Sequence, residues 1–163
     1  MSLESLKDLY VEQLRDLYSA ETQILEALPK MEKAATNKEL QNAFKEHRKA
    51  TETHLERLEK IFKELDKKSA GHHCKGMEGL LKEGNEMVKE KGDDSTRDAG
   101  LIASAQRVEH YEIAGYGTVR SYAEQMGFAE QEKLLKQTLD EESQTDERLT
   151  KLAESVINVE AQN

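Results

Sequence analysis

Glu109 and Glu112 are acids in a stretch that otherwise avoids charge. Charged residues make up 35% of the 163-residue chain. Between Ala99 and Val119, however, the only formal charges are Arg107, Glu109 and Glu112. Ala, Ile, Leu, Val, Gly and Tyr fill most of the helical wheel there, the pattern of a buried helix. A buried carboxylate must find a hydrogen bond, a counter-charge or a metal, or else keep its proton. Two of them one turn apart make a metal site the first hypothesis. A proton-sharing or ion-paired core is the second.

The elements that position these acids follow from the apolar periodicity. A first helix is expected from about Leu3 to Lys33 along Leu6, Leu9, Tyr10, Leu14, Leu17, Ile24, Leu25 and Leu28, kinked or ended by Pro29. Thr36-Asn37 is the expected cap of a second helix reaching Lys68. Its stripe is Leu40, Phe44, His47, Thr51, Leu55, Leu58, Phe62 and Leu65. Ser69 to Gly76 reads as a loop, and Met77 to Lys89 as a short helix. A third long helix is expected over Ser95 to Met126, capped by Asp94 or Ser95 and stopped by Gly127. The fourth spans Ala129 to Ile157, with Leu135, Thr138, Glu142, Thr145, Leu149, Leu152 and Val156 on one face. No segment reads as a strand. Two helical pairs with short joints, linked by a long connection carrying its own helix, give an all-α bundle of the ferritin-like arrangement. It is expected to form one domain over residues 1–163.

Register brings the polar interruptions together. Residues 112 and 142 are equidistant from Gly127, so Glu112 should face Glu142 across the second pair. A turn near residues 34 to 36 sets Glu21 opposite His47 to Thr51. Glu109 lies one turn from Glu112. Each helix therefore places ligand-type groups near mid-height. Carboxylates with one or two imidazoles suit iron or manganese better than zinc. In two-metal bundles such ions cycle between divalent and trivalent states, so the expected chemistry is reaction with oxygen or peroxide. The expected site is Glu21, His47, Glu109, Glu112 and Glu142, with Asp146 or Glu141 as a substitute or helper for Glu142. Glu112 and Glu142 would bridge, Glu21 and Glu109 would be terminal, and His47 would add the nitrogen donor.

The alternatives are structural. The acids would pair with Arg107, Arg15 or Arg148, or form a proton-coupled core. His110 lies about 100° around the helix from Glu109 and reads as a supporting or interface residue. His54 reads as an edge residue of its stripe. His72, His73 and Cys74 read as a polar loop. Met77, Leu80, Leu81 and Val88 read as the docking face of the crossover helix. A net charge of −9 argues against nucleic-acid binding. One cysteine, no signal-peptide pattern and no membrane-length apolar run suggest a cytoplasmic protein.

Several stretches carry a family resemblance: LYSAETQIL around Glu21, AFKEHRKAT around His47, CKGMEGLLKEGNE in the crossover, VEHYEIAGYGT in the third helix and LLKQTLDEESQTDERL in the fourth. Across nearly the whole chain, the sequence resembles the YciF-type ferritin-like family of bacterial stress proteins. That resemblance implies a rubrerythrin-related bundle, a homodimer and a role in stress responses. The chain departs from the full di-iron pattern in two places. The second helix offers Phe44-x-x-His47 instead of Glu-x-x-His, and the fourth offers Glu142-x-x-Thr145 without a histidine. No rubredoxin-like cysteine cluster is present.

Overall fold

Side chains that accept backbone N–H groups mark where most of the helices begin. A computed structural model describes residues 3–162. In it Ser5 caps α1 (Leu6–Ala34), Asn37 caps α2 (Lys38–Glu64) and the Cys74 sulfur caps α3 (Lys75–Lys89). Asp93 caps α4 (Asp94–Gln125). The expected cap was one or two residues later. Asp93 takes the position because its carboxylate reaches both the Thr96 N–H and the Thr96 hydroxyl. Beyond Gly127, whose φ of 72° supplies the left-handed turn, comes α5 (Ala129–Leu152). It passes through a π-helical turn (Ala153–Ile157) into the short α6 (Asn158–Glu160). No strand occurs among the described residues.

Pro29 does not end α1, which runs on to Ala34. Proline inside a helix costs about 3 kcal/mol. Burial of Leu28, Met31 and Ala35 in one apolar cluster on either side of it offsets that cost.

Asp98 fixes the topology. It lies one turn into α4, yet its buried carboxylate accepts the backbone N–H groups of Thr36 and Asn37 and the Thr36 hydroxyl, at 2.7–3.2 Å. The start of α4 therefore sits at the same end as the start of α2, and the crossover must travel the length of the bundle. At the other end, the Tyr10 hydroxyl near the start of α1 donates to Gln131 near the start of α5 at 2.9 Å. Helix α1 packs on α2 and α4, α5 packs on α4 and α2, and α3 covers the α1–α4 seam. Met77 is fully buried there, with Leu80, Leu81 and Val88 against the same cluster, as expected of the crossover face. The all-α ferritin-like arrangement with one long crossover is the fold of this chain.

Its interior is two dry clusters with a polar band between them. One gathers Ile24, Leu28, Phe44, Leu101 and Leu149. The other gathers Tyr10, Leu14, Leu58, Ile61, Tyr116 and Leu135. The ionisable residues of interest occupy the band.

Candidate metal centre

Four helices each contribute to the band. Glu21 comes from α1, His47 and His54 from α2, Glu109 and Glu112 from α4, and Glu142 from α5. Glu21, Glu112 and Glu142 are completely buried, and Glu109 is 2% exposed. Their ligand atoms form two groups. Atoms of His47, Glu109, Glu112 and Glu142 lie within 4.8 Å of one another, as do atoms of Glu21, His54 and Glu142. Glu142 belongs to both. Glu112 and Glu142 meet across the α4–α5 hairpin, as their equal spacing from Gly127 predicts.

The donor set fits a cation on the evidence of its unmet polar atoms. Among the described residues, nine buried side-chain atoms lack a hydrogen-bond partner, and all belong to these six residues. They include both oxygens of Glu112, both oxygens of Glu142 and both ring nitrogens of His47. Ionised carboxylates accept but cannot donate, so the acids cannot satisfy one another without protons. An unpaired buried charge is among the costliest features a fold can carry. Four acids with two neutral imidazoles would carry a charge that two divalent cations balance.

Without a cation, burial and the neighbouring charge of Glu142 push Glu109 well above the usual carboxylate range. Burial, then Glu142 and Glu21, do the same to Glu112. Burial also lowers His47. Burial opposes charge on His54, but the close Glu142 and Glu21 carboxylates outweigh it and lift that ring to about 10. Burial likewise raises Glu142, while His54 and the charge of His47 hold it at about 2. The Nδ1 of His54 is 2.9 Å from Glu142 Oε1 and 3.2 Å from Glu21 Oε1. Those are ion-pair distances, but Nδ1 has no well-aligned hydrogen bond to either oxygen. The contact is electrostatic, with the ring nitrogen between two carboxylates.

His54 is the correction to the sequence reading. It is 1% exposed rather than an edge residue. Its partner is Glu21, so the α1–α2 hairpin is symmetric about Asn37–Lys38 and not about residues 34 to 36. The signal was present: His47, Thr51 and His54 are spaced i, i+4, i+7, and all three are buried. Leu55, assigned to the stripe in its place, is only partly buried. The nitrogen donor that helix four lacks is thus supplied by a second histidine on helix two.

Other candidates lie outside the convergence. Asp146 faces Gln106 Nε2 at 3.1 Å and the exposed His110 at 3.2 Å. Glu141 points away from the acids and stands behind His54, with Oε2 2.9 Å from Nε2. Arg57 grips the same carboxylate with two bonds of 2.7 and 2.8 Å and also reaches Thr138. Tyr116 donates to Glu21 Oε1 at 2.6 Å, whereas Tyr18 turns to Glu59. The arginines proposed as counter-ions are engaged elsewhere. Arg15 donates to the Lys68 carbonyl, Arg107 to the Ala103 carbonyl, and Arg148 pairs with Glu46. In the loop, His72 meets Asp16 and His73 meets Glu78, so the three adjacent residues form no clip.

Comparison with known proteins accords with this architecture. The chain is 43% identical to Protein YciF of Escherichia coli K12, over 100% of this chain and 99% of that one. The crystal structure of that stress protein superposes with a TM-score of 0.91, covering 95% of this chain and 98% of the other. YcfI of Rhodopseudomonas palustris superposes at 0.88 with 40% identity, covering 91% and 95%. A dodecameric thioferritin from Bacteroides fragilis shares the fold at 14% identity, with a TM-score of 0.74 over 97% and 91% of the two chains. The family described as a domain of unknown function, DUF892, matches residues 5–162. The family match over residues 5–162 and the full-length identity to YciF make the chain a member of the DUF892 family, with YciF as a relative.

Proposed function

We propose that the bundle holds a two-cation centre of iron or manganese and serves in stress protection, as a cytoplasmic homodimer whose domain covers residues 1–163. The observation that carries this reading is the sharing of Glu142 by two ligand groups that together leave nine buried polar atoms unmet. His47, Glu109 and Glu112 would hold one ion, Glu21 and His54 the other, with Glu142 between them. Carboxylate and imidazole donors suit iron or manganese, and either metal, when bound, supplies one-electron chemistry with oxygen or peroxide. The role in stress rests on the likeness to a relative described as a stress protein. The net charge of −9 supports a partner set without nucleic acid, and no described helix is long and apolar enough to cross a membrane.

The chain's own residues prepare such a centre in three ways. The two apolar clusters exclude water from both ends of the band, which strengthens every charge interaction inside it. Glu141, anchored by Arg57, holds the Nε2 proton of His54 and leaves Nδ1 for the interior. Tyr116 fixes one oxygen of Glu21 with a 2.6 Å hydrogen bond and leaves the other free to bind.

The second reading is a structural ion-paired core without metal. A protonated His54 between Glu21 and Glu142 favours it. It accounts for those two acids but leaves both oxygens of Glu112 without a partner, so the cation centre explains more. Metal analysis of protein purified without chelator decides between them. The Glu109→Gln, Glu112→Gln double variant should lose the metal while retaining its helical content. Stoichiometric absence of iron and manganese from wild-type protein, even after anaerobic loading, would sink the cation reading.

A further inference from the structure

Two surface clefts flank the His47–Glu109 end of the band, and their walls differ in chemistry. One, of about 280 Å³, opens between α1 and α3. The other, of about 260 Å³, opens between α2 and α5, where Glu46, His47 and Ala50 line it from α2 and Glu141, Gln144 and Thr145 from α5. Between the clefts lies a cavity of about 20 Å³, above the roughly 10–15 Å³ that one water needs. It shares Ala27, Met31, Leu81 and Val108 with the first cleft, and Ala43, His47 and Thr145 with the second. Two of its other lining positions matter less than His47 and Glu109, which both carry unmet polar atoms and so fit a single water there.

The shared side chains decide which cleft suits a cation. On the α1–α3 side they offer hydrocarbon and one thioether. An ion shedding water there gains nothing to offset its desolvation. On the α2–α5 side they include a hydroxyl and an imidazole. His47 lines both the cleft and the cavity, and at 5% it is the most exposed of the six residues in the band. Neither of its ring nitrogens has a hydrogen-bond partner, and Nε2 stands 3.5 Å from Glu109 Oε1. His54, by contrast, is held from behind by Glu141. His47 is thus the ligand nearest solvent and the one whose ring no hydrogen bond fixes.

We propose that divalent metal ions enter and leave the centre through the α2–α5 cleft, with His47 as the first ligand they meet. The inference deepens the cation reading above and rests on it. An ion exchanges part of its water for the His47 imidazole at the floor of the cleft, then passes to Glu109 beside the water-sized cavity.

Manganese(II) is the probe, because its aqueous paramagnetic resonance signal falls as the ion binds. Ala50→Leu, at a half-buried position, fills the cleft from α2. Gln144→Leu, at an exposed position on α5, fills it from the opposite wall without touching the core. Each should slow uptake and chelator-driven release by the same factor, roughly tenfold, which is a barrier rise of about 1.4 kcal/mol. The Kd should stay unchanged, since a shared path is obstructed equally in both directions. Asn85→Leu, which fills the α1–α3 cleft instead, should alter neither rate. Unchanged rates in both α2–α5 variants overturn the proposal, as does equal slowing in Asn85→Leu. Slower uptake matched by a weaker Kd also overturns it, because that pattern marks a distorted site. If wild-type protein takes up neither manganese nor iron, the centre itself falls and the route with it. Normal binding with unaltered rates removes the route alone.

Discussion

His54 is held from behind by Glu141: the ring Nε2 lies 2.9 Å from Oε2, and Arg57 fixes that carboxylate with two further bonds. The arrangement sets the tautomer. With Nε2 carrying its proton toward Glu141, a cation held by Glu21 and Glu142 would displace the Nδ1 proton and take that lone pair. Carboxylate partners of this kind raise the basicity of a ligating imidazole and lock its orientation.

Glu141→Ala should therefore lower metal affinity on the order of 10–100-fold while leaving His54 in place. Competition against a chelator of known affinity measures it. A loss confined to one of two bound ions is the expected pattern, because His54 belongs to only one ligand group. Equal weakening of both ions, or none, contradicts the assignment.

The metal-free protein should lose stability as pH rises from about 6.5 to 10. His54 has a folded value of about 10 against 6.5 for a free ring. Its contribution is fully present below 6.5 and disappears as pH climbs through about 10. Glu109 and Glu112 are raised above 4.5 by burial and by their acidic neighbours. The folded state therefore retains protons that the unfolded chain releases, and their effect has the same sign. His47, lowered by burial, acts in the opposite direction only below 6.5. Urea unfolding at stepped pH should show the decline in metal-free wild type and a shallower one in the Glu109→Gln, Glu112→Gln variant. Equal slopes in the two proteins would rule out this origin.

Gly76→Ala tests how the crossover is seated. A Cβ at Gly76 would come within 2.8 Å of the Tyr111 ring. That ring's hydroxyl donates to Asp16 at 2.6 Å and lies 3.0 Å from the buried Cys74 sulfur. Helix propensity favours alanine by about 1 kcal/mol, but overpacking costs roughly 1–3 kcal/mol. The net effect should be destabilising in wild type. In a Tyr111→Ala background the clash is gone, and the same substitution should become stabilising. Thermal melts of the four proteins check the change of sign.

The helices, the crossover and five of the six converging residues were legible in the sequence because they depend on local periodicity. Glu109 and Glu112 stood out in an apolar helix, and Gly127 fixed the α4–α5 register as the only break between two continuous helices. Pro29 misled as a possible stop because propensity is local, whereas the burial that carries α1 past it is not. His54 was obscured by the choice between it and Leu55, a rotation that polarity decides wrongly when the interior itself is polar. Asp146 and Glu141 share a helix turn with Glu142 but point to different neighbours, a distinction that side-chain spacing alone does not make. Sequence determined which residues are ligand types and at what height they lie. Only the packed bundle decided that two histidines of one helix serve two groups of acids and that Glu142 joins them. Those relations depend on the rotation of each helix about its own axis, which contacts between helices fix.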